Sequence, residues 1–575
     1  MLREIRYAFR SLRQRPIFAL SATLTLALGI GAATAVFSVV DRVVLRPLAF
    51  ADPERLVVLR PDGSFANREI DFLRREATSF QHVAALSPGW LMAHTGVASP
   101  EQLDAARVSG NLFEMLGVQA AIGTTFGRDT EVPGQDAVAV LSHELWMRRF
   151  AADPAVIGRS IRLDGRDYIV QGVMPAGFEL LGFRSDLWVP LTTDPQALTW
   201  AGATSFGLAR LRAGISPESA AGELLGLALR MREAFDLNPD YATGRMLATL
   251  TETVVGGVRR MLLVVLAAVG FVLCIAAANV ANLLLVRTAE RRRELAVRYS
   301  LGASRSSIVR LVLTESLAVG AVGGAAGLAV ALLAVRALTR LLPPDTPRLA
   351  EIAVDARIVA AGVFLTILIS LAFGAAPAFF AARGTLGGRL RTGRTVAEGN
   401  TRGVLIAAQV ATAVVLAVGA GLMGRTLIAL RQVDPGFHPQ NLLTLQLQPS
   451  GRSADALRAY WADVLETVRA TPGVIAAGTV LHLPMGGRTW NADIDVEGRT
   501  RNPDEAAPRA GWQAISTGYL QTAQTPILAG RDFNADDHAG TPRVTLINEA
   551  LARTLFPSEN PIGRRIRAGN ATLNE

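Results

Sequence analysis

The chain contains no lysine; all 58 of its basic residues are arginine. A phosphate-binding loop of the Gly-x-x-x-x-Gly-Lys type needs the lysine amine to reach the phosphates, so none lies within these 575 residues. A single cysteine, Cys274, excludes an intrachain disulfide and leaves the redox compartment open. It sits inside an apolar run and reads as a small packing residue. The six histidines, His82, His94, His143, His438, His482 and His538, are scattered without metal-ligand spacing, so no metal site is expected. There is no Gly-x-Ser-x-Gly, and no pair of carboxylates is placed specifically enough to name an acid and a base. The sequence therefore offers no catalytic residue and no cofactor site, and the chain is read as not itself an enzyme.

Charge is also scarce, at 19%, while half of the residues are apolar. That balance is unusual for a soluble chain of this length, which allows two or three domains. A formal charge of +9 would suit nucleic acid, but the arginines flank long apolar runs. That placement is a membrane topology signal, and no nucleic-acid partner is expected.

Five runs free of charge are long enough to cross a hydrocarbon core of about 30 Å as helix: Ile17–Val40, Met261–Val286, Ser316–Val335, Ile358–Ala382 and Gly403–Gly424. The first is longer than the apolar core of a signal peptide, about 7–15 residues, and reads as a retained helix. Arginine is dense in the leader before it, in the connection after Val286 and in the connection before Gly403. If all five helices span, these three segments share one side, which the positive-inside rule makes cytoplasmic. The third-to-fourth connection dissents mildly, with Arg336, Arg340, Arg348 and Arg357 beside Asp345, Glu351 and Asp355. The leader Leu2–Arg15 places Leu2, Ile5, Phe9 and Leu12 at helical spacing, as in a helix lying on the inner membrane surface.

The long segments Arg42–Arg260 and Thr426–Glu575 are then extracytoplasmic. The first mixes strand and helix signals. Val138–Leu141 reads as a strand followed by a helix capped by Ser142. Asp164-Gly165 marks a hairpin between Ile161–Leu163 and Tyr168–Val173. Ser216-Pro217-Glu218 opens a helix running to about Phe235. The second segment repeats the first. Val108-Ser109-Gly110-Asn111-Leu112-Phe113 recurs as Ile515-Ser516-Thr517-Gly518-Tyr519-Leu520, and Val138 through Phe150 aligns without gaps on Val544 through Phe556. Matches in the same order along the chain indicate duplication of a unit made of a helix, a large external domain and three more helices. The second copy breaks off inside its external domain, and reads as a truncated repeat. A complete one would bring the chain to roughly 800 residues.

The predicted fold is thus membrane α-helical with two α+β extracytoplasmic domains. The expected divisions are a leader and first helix (1–41), an α+β domain (42–260), a three-helix module (261–402) with a cytoplasmic loop at 287–310, a fifth helix (403–425) and a second, incomplete α+β domain (426–575).

After the second helix come Asn279-Val280-Ala281-Asn282, then Glu290-Arg291-Arg292-Arg293-Glu294-Leu295-Ala296-Val297-Arg298 and Leu301-Gly302-Ala303-Ser304-Arg305. Here the chain resembles the MacB/FtsX-like permeases of ABC transport systems, in their duplicated form. Ala278 departs from the pattern, since many relatives carry cysteine before the asparagine. The resemblance implies a bacterial inner-membrane, multi-pass permease with a cytoplasmic N-terminus. It implies a separate ABC ATPase that binds the ATP, a dimer or pseudo-dimer, membrane lipid as surroundings, and a periplasmic substrate or partner. It implies that the coupling residues are Glu290, Arg291, Arg293, Glu294, Arg298 and Gly302. The residue-level alternative is a basic stop-transfer flank, although a flank alone needs no interleaved Glu290 and Glu294. Asn279, Asn282, Gly320, Gly324 and Gly327 are read as helix-packing residues, through interhelical hydrogen bonds and close approach at Gly-x-x-x-Gly. The alternative function is a signalling scaffold that regulates an extracytoplasmic enzyme, told apart by what co-purifies with the external domain.

Overall fold

A computed structural model describes the chain apart from residues 1–9, 11–13, 62, 97–99, 193–204, 236–238, 292–293, 295–296, 299, 302–303, 343–347, 349–350, 384–395, 448, 450–452, 487–489, 500–507, 539 and 569–575. The surface helix expected in the leader lies largely outside the described residues. In chain order the elements are α1 (Pro16–Val40), β1 (Leu56–Leu59), α2 (Asn67–Glu76), β2 (Phe80–Thr95), β3 (Glu101–Val108) and α3 (Leu112–Leu116). Then come β4 (Ile122–Gly123), β5 (Val138–Leu141), α4 (His143–Phe150), β6 (Ser160–Leu163), β7 (Arg166–Val173), β8 (Leu187–Pro190), β9 (Phe206–Leu211), α5 (Pro217–Ala234) and β10 (Leu247–Thr249). Three long helices follow, α6 (Leu250–Glu290), α7 (Arg305–Leu341) and α8 (Ala356–Arg383), and then α9 (Val396–Arg431). The last elements are α10 (Ala454–Ala470), β11 (Trp490–Val496), β12 (Arg509–Trp512), α11 (Tyr519–Ala523), α12 (Glu549–Leu555) and β13 (Ile566–Ala568). The chain divides into a helical unit, made of residues 1–54, 175–184 and 249–431, and an α+β unit made of the rest.

In the helical unit α1, α6, α7, α8 and α9 are long and apolar enough to cross a membrane. They outrun the charge-free stretches at their ends because a helix does not stop where its side chains turn polar. Helix α6 has 41 residues, about 60 Å at 1.5 Å per residue and twice the hydrocarbon thickness. Helix α1 is the centre of the unit, with Ala22, Leu26 and Ile30 fully buried among residues of α6, α7 and α8. The glycines of α7 show how this packing is achieved. Gly320 and Gly324 face α8, where an added Cβ would collide with Ser370 and Thr366. Gly323 and Gly327 face α1, where an added Cβ would lie 2.7 Å from Leu26 Cβ and 3.1 Å from Ile30 Cβ. Two interleaved Gly-x-x-x-Gly pairs thus serve two different neighbours. Gly320→Val should cost about 1–3 kcal/mol by overpacking. Gly270→Ala on α6, where an added Cβ meets nothing within 4 Å, should be neutral or stabilise by about 0.5–1 kcal/mol. Apparent melting temperatures in one detergent check both signs. Cys274 is exposed on α6, so the expected packing role is corrected: its thiol lies on the outer face of the helix.

In the α+β unit, β1 to β10 form one sheet in the order β10-β1-β9-β2-β3-β8-β5-β7-β4, with β6 pairing β2 and β7. Two apolar clusters hold it. One joins β1, β2 and β9 to α2 and α5 through Leu59, Leu73, Leu224 and Met231; the other seats Leu145 and Trp146 of α4 on Val170 and Leu187. The local signals read from sequence act as expected. Ser142 Oγ accepts the Leu145 amide at 3.0 Å, and Ser216 Oγ accepts that of Ser219 at 3.2 Å. Asp164 and Gly165 take φ of 52° and 81°, the double left-handed turn that a tight hairpin needs.

The second α+β region repeats part of the first. The sheet β12-β11-β13 reproduces β3-β2-β6: Trp490 pairs Trp512 as Trp90 pairs Ala105, and Ile494 pairs Ala568 as His94 pairs Leu163. The Ser516 hydroxyl accepts the Thr479 amide at 2.8 Å, as Ser109 accepts that of Ala85 at 2.8 Å. Residues 443–446 and 544–547, the counterparts of β1 and β5, are not assigned to strands. In the first domain β1 pairs β9 and β5 pairs β7 and β8, strands drawn from residues 166–211, which have no described counterpart in the second region.

Candidate coupling site

The C-terminus of α6 gathers the charges singled out in the sequence. Helix α6 ends at Glu290, and Arg291 closes it by donating its amide to Arg287 O at 3.2 Å. The Arg291 guanidinium then donates in two directions. Nε reaches Glu294 Oε2 at 2.9 Å, and Nη1 reaches Glu315 Oε2 on α7 at 3.1 Å. Arg298 Nη2 donates to Glu294 Oε1 at 2.8 Å, one helical turn on. Glu315 also receives Arg287 Nη2 at 2.8 Å, and the Arg287 guanidinium lies 4.7 Å over the Phe18 ring of α1. Glu290 takes Arg15, next to α1, as its partner.

Burial grades this cluster. The Arg287 and Glu315 side chains are 6% and 10% exposed, Arg291 is 18%, and Glu294 and Arg298 are 38% and 37%. Exposed pairs contribute about 0–1 kcal/mol each, whereas breaking a buried one leaves an uncompensated charge. Arg291, Glu294 and Arg298, three of the expected coupling residues, pair with one another and with Glu315 within the chain. Arg293 and Gly302 lie outside the described residues. Glu315 and Arg287 are not singled out by the sequence: each lies one residue outside a charge-free run, Arg287 after that of the second helix and Glu315 before that of the third.

The packing residues divide as well. Asn279 is exposed; Asn282 is half-buried, and its Oδ1 finds no hydrogen-bond partner among the described residues. The interhelical hydrogen bond expected of Asn282 Oδ1 is therefore not formed there.

A second charge cluster stands at the other end of α1. Asp41, fully buried, accepts Arg46 at 2.7 Å and lies 3.4 Å from Arg357. Arg42 and Arg46 both reach Asp355, while Arg348 donates to the Arg46 carbonyl at 2.8 Å and pairs with Glu351. The Ile358 amide and then Arg46 hold the Asp355 carboxyl down at about 2, so its charge persists through ordinary pH and fails only as pH falls toward that value. Arg348 and Arg357, two of the arginines that dissent from the topology signal, are thus held in local ion pairs.

Five helices long and apolar enough to cross a membrane, with one large α+β segment between the first two and another after the fifth, are the pattern of a multi-pass membrane protein. A family model for the MacB-like periplasmic core domain matches residues 19–227 and again 414–574, and one for the FtsX-like permease C-terminal domain matches 266–386. The chain belongs to the MacB/FtsX-like family of ABC transporter permeases, and the double match agrees with the internal repeat. Among its relatives is the macrolide export ATP-binding/permease protein MacB of Burkholderia thailandensis, 31% identical over 232 residues that make up 40% of this chain and 35% of that protein. The protein of the same name from Escherichia coli K12 is 27% identical over 238 residues, 41% of this chain and 36% of that one. The matches thus span about a third of these curated relatives' length. Solved structures that resemble part of the chain include the periplasmic region of MacB from Actinobacillus actinomycetemcomitans, at 13% identity over 34% of this chain and 86% of that one, TM-score 0.26. A domain of a putative permease from Porphyromonas gingivalis matches at 19% identity over 32% and 86%, TM-score 0.26.

Proposed function

We propose that this chain is the permease subunit of an ABC-type export or mechanotransmission system, driven by a separate ATPase that docks at Glu290–Arg298 on the cytoplasmic side. The ATPase closes on ATP and moves that segment; the extracytoplasmic domains respond and act on a periplasmic substrate or partner. The observation that carries this reading is the continuity of α6. The helix begins directly after β10, the edge strand of the sheet, with Thr249 Oγ1 capping Glu252 N at 3.1 Å, and runs without a break to Glu290. A displacement at Arg291 therefore has a single uninterrupted helix, about 60 Å long, along which to be passed. These 575 residues contain no lysine, so the ATP site of this reading lies outside them.

The orientation is tested by single cysteines in a Cys274→Ser background. A membrane-impermeant thiol reagent should label cysteine placed at the exposed Ser219 or Ser558 in intact cells, and at the exposed Ser304 only after the membrane is opened. Labelling at Ser304 in intact cells would overturn the orientation. The coupling itself is tested by co-purification with the ABC ATPase subunits of the source cell, and by stimulation of their ATP hydrolysis.

A further inference from the structure

Glu315 is a buried carboxylate near the beginning of a helix otherwise read as a plain membrane span. It is 7% exposed and holds two arginines of α6, Arg287 at 2.8 Å and Arg291 at 3.1 Å. Its neighbour Ser316 is fully buried, with Gly374 of α8 so close that an added Cβ would stand 2.7 Å from the Ser316 hydroxyl. The carboxylate thus belongs to a part of α7 that is itself tightly packed. Arg287 is clamped from the other side by the Phe18 ring. Arg291 is the hinge between this anchor and the coupling segment, since the same guanidinium holds Glu294, which in turn holds Arg298.

We infer that Glu315 is a positioning residue: it fixes the direction in which the chain leaves α6, and so holds the coupling segment in the attitude an ATPase meets. The physical ground is the gradient of burial. The outer pairs, Glu294 with Arg298 and Glu290 with Arg15, are solvent-exposed and too weak to hold a segment in place. The Glu315 pairs are the most buried of the cluster, and the one with Arg287 does not open without stranding a charge. A load applied to Arg291 is therefore passed to α7 and not absorbed locally. The role given to the segment rests on the coupling reading above; the anchoring does not.

The experiment separates the two. Trypsin cuts this lysine-free chain only after arginine, so its attack between Arg291 and Arg305 in inside-out membrane vesicles reports how firmly the segment is held. Glu315→Gln keeps the side chain's volume and removes its charge; cleavage there should accelerate by about tenfold, from the loss of a buried charge partner. Glu290→Gln, which removes an exposed pair, should change the rate by less than about twofold. If Glu315→Gln does not purify as a single species in detergent, Arg291→Gln decides, read at Arg292, Arg293 and Arg298, which both chains keep, since it leaves the Arg287–Glu315 pair in place; the same acceleration is expected. An unchanged rate in the folded variant overturns the anchoring. With the ATPase that co-purifies with the wild-type chain present, Glu315→Gln should still bind it but lose most of the stimulation of ATP hydrolysis. A wild-type chain that fails to stimulate would sink the coupling reading, while the cleavage comparison would still decide the anchor.

Discussion

Under the proposed docking, replacing Glu294 by arginine should leave the protein in the membrane at normal abundance and abolish its association with the ATPase. Glu294 is the only acidic residue between Arg291 and Arg310, and it balances Arg291 and Arg298 at 2.9 and 2.8 Å. Its side chain is 38% exposed, so loss of the two pairs costs the fold about 2 kcal/mol or less. In the proposed orientation insertion is safe, because added positive charge on a cytoplasmic loop strengthens the inside signal. The interface bears the larger effect. The reversal turns a balanced surface into one of a single sign, and like charges brought together at an interface cost several kcal/mol. A loss of about 4 kcal/mol is roughly a thousandfold in affinity, enough to abolish co-purification and stimulated hydrolysis. Glu294→Gln removes the pairs without adding charge and should keep most of the association. The stop-transfer reading expects no change of partner in either variant. Full association and full stimulation by Glu294→Arg would end the docking hypothesis for this residue.

The features legible in the sequence are those decided within a few residues. Ser142 before His143–Phe150, Pro217 after its capping serine, and Asp164-Gly165 between two strands each carry their own instruction. The apolar runs announced five helices for the same reason, because burial in hydrocarbon demands a continuous stretch. What the sequence hid is pairing across distance. Glu315 lies 28 residues from Arg287, and the two meet only when α7 folds back on α6. Asp355 and Glu351 read as dilution of a topology signal, yet they hold Arg42 and Arg348 at the far end of α1. The Gly-x-x-x-Gly pairs of α7 were visible as a packing surface, but which pair faces α1 and which faces α8 depends on the rotation of α7 among its neighbours. The unsatisfied Asn282 carbonyl was missed for the same kind of reason: a polar residue at membrane depth asks for a partner, but does not say whether one is in reach.

Hydrogen exchange should divide the two α+β regions of this chain by orders of magnitude. In the first, Leu56–Leu59 form β1 beside β9, and each of the four side chains is at most 1% exposed. Their counterparts, residues 443–446, lack a strand partner among the described residues, with Leu443 84% and Leu445 70% exposed. The same contrast separates β5, paired on both edges, from residues 544–547, where Val544 is 46% exposed. An amide in a paired, buried strand exchanges only through opening that costs up to the full stability, about 5–15 kcal/mol, whereas an unpaired one exchanges nearly freely. Even 4 kcal/mol of local protection is close to a thousandfold in rate, by the conversion of about 1.4 kcal/mol per factor of ten. Peptides covering 442–447 and 543–548 should therefore take up deuterium within seconds, while those covering 56–59 and 138–141 hold out for hours. The β11–β12 pairs should fall between, since a three-stranded sheet with a small apolar cluster is ordered but marginal. Equal protection at 56–59 and 443–446 would mean that the second segment finds a strand partner as β1 does, and the contrast argued from unpaired backbone would fail.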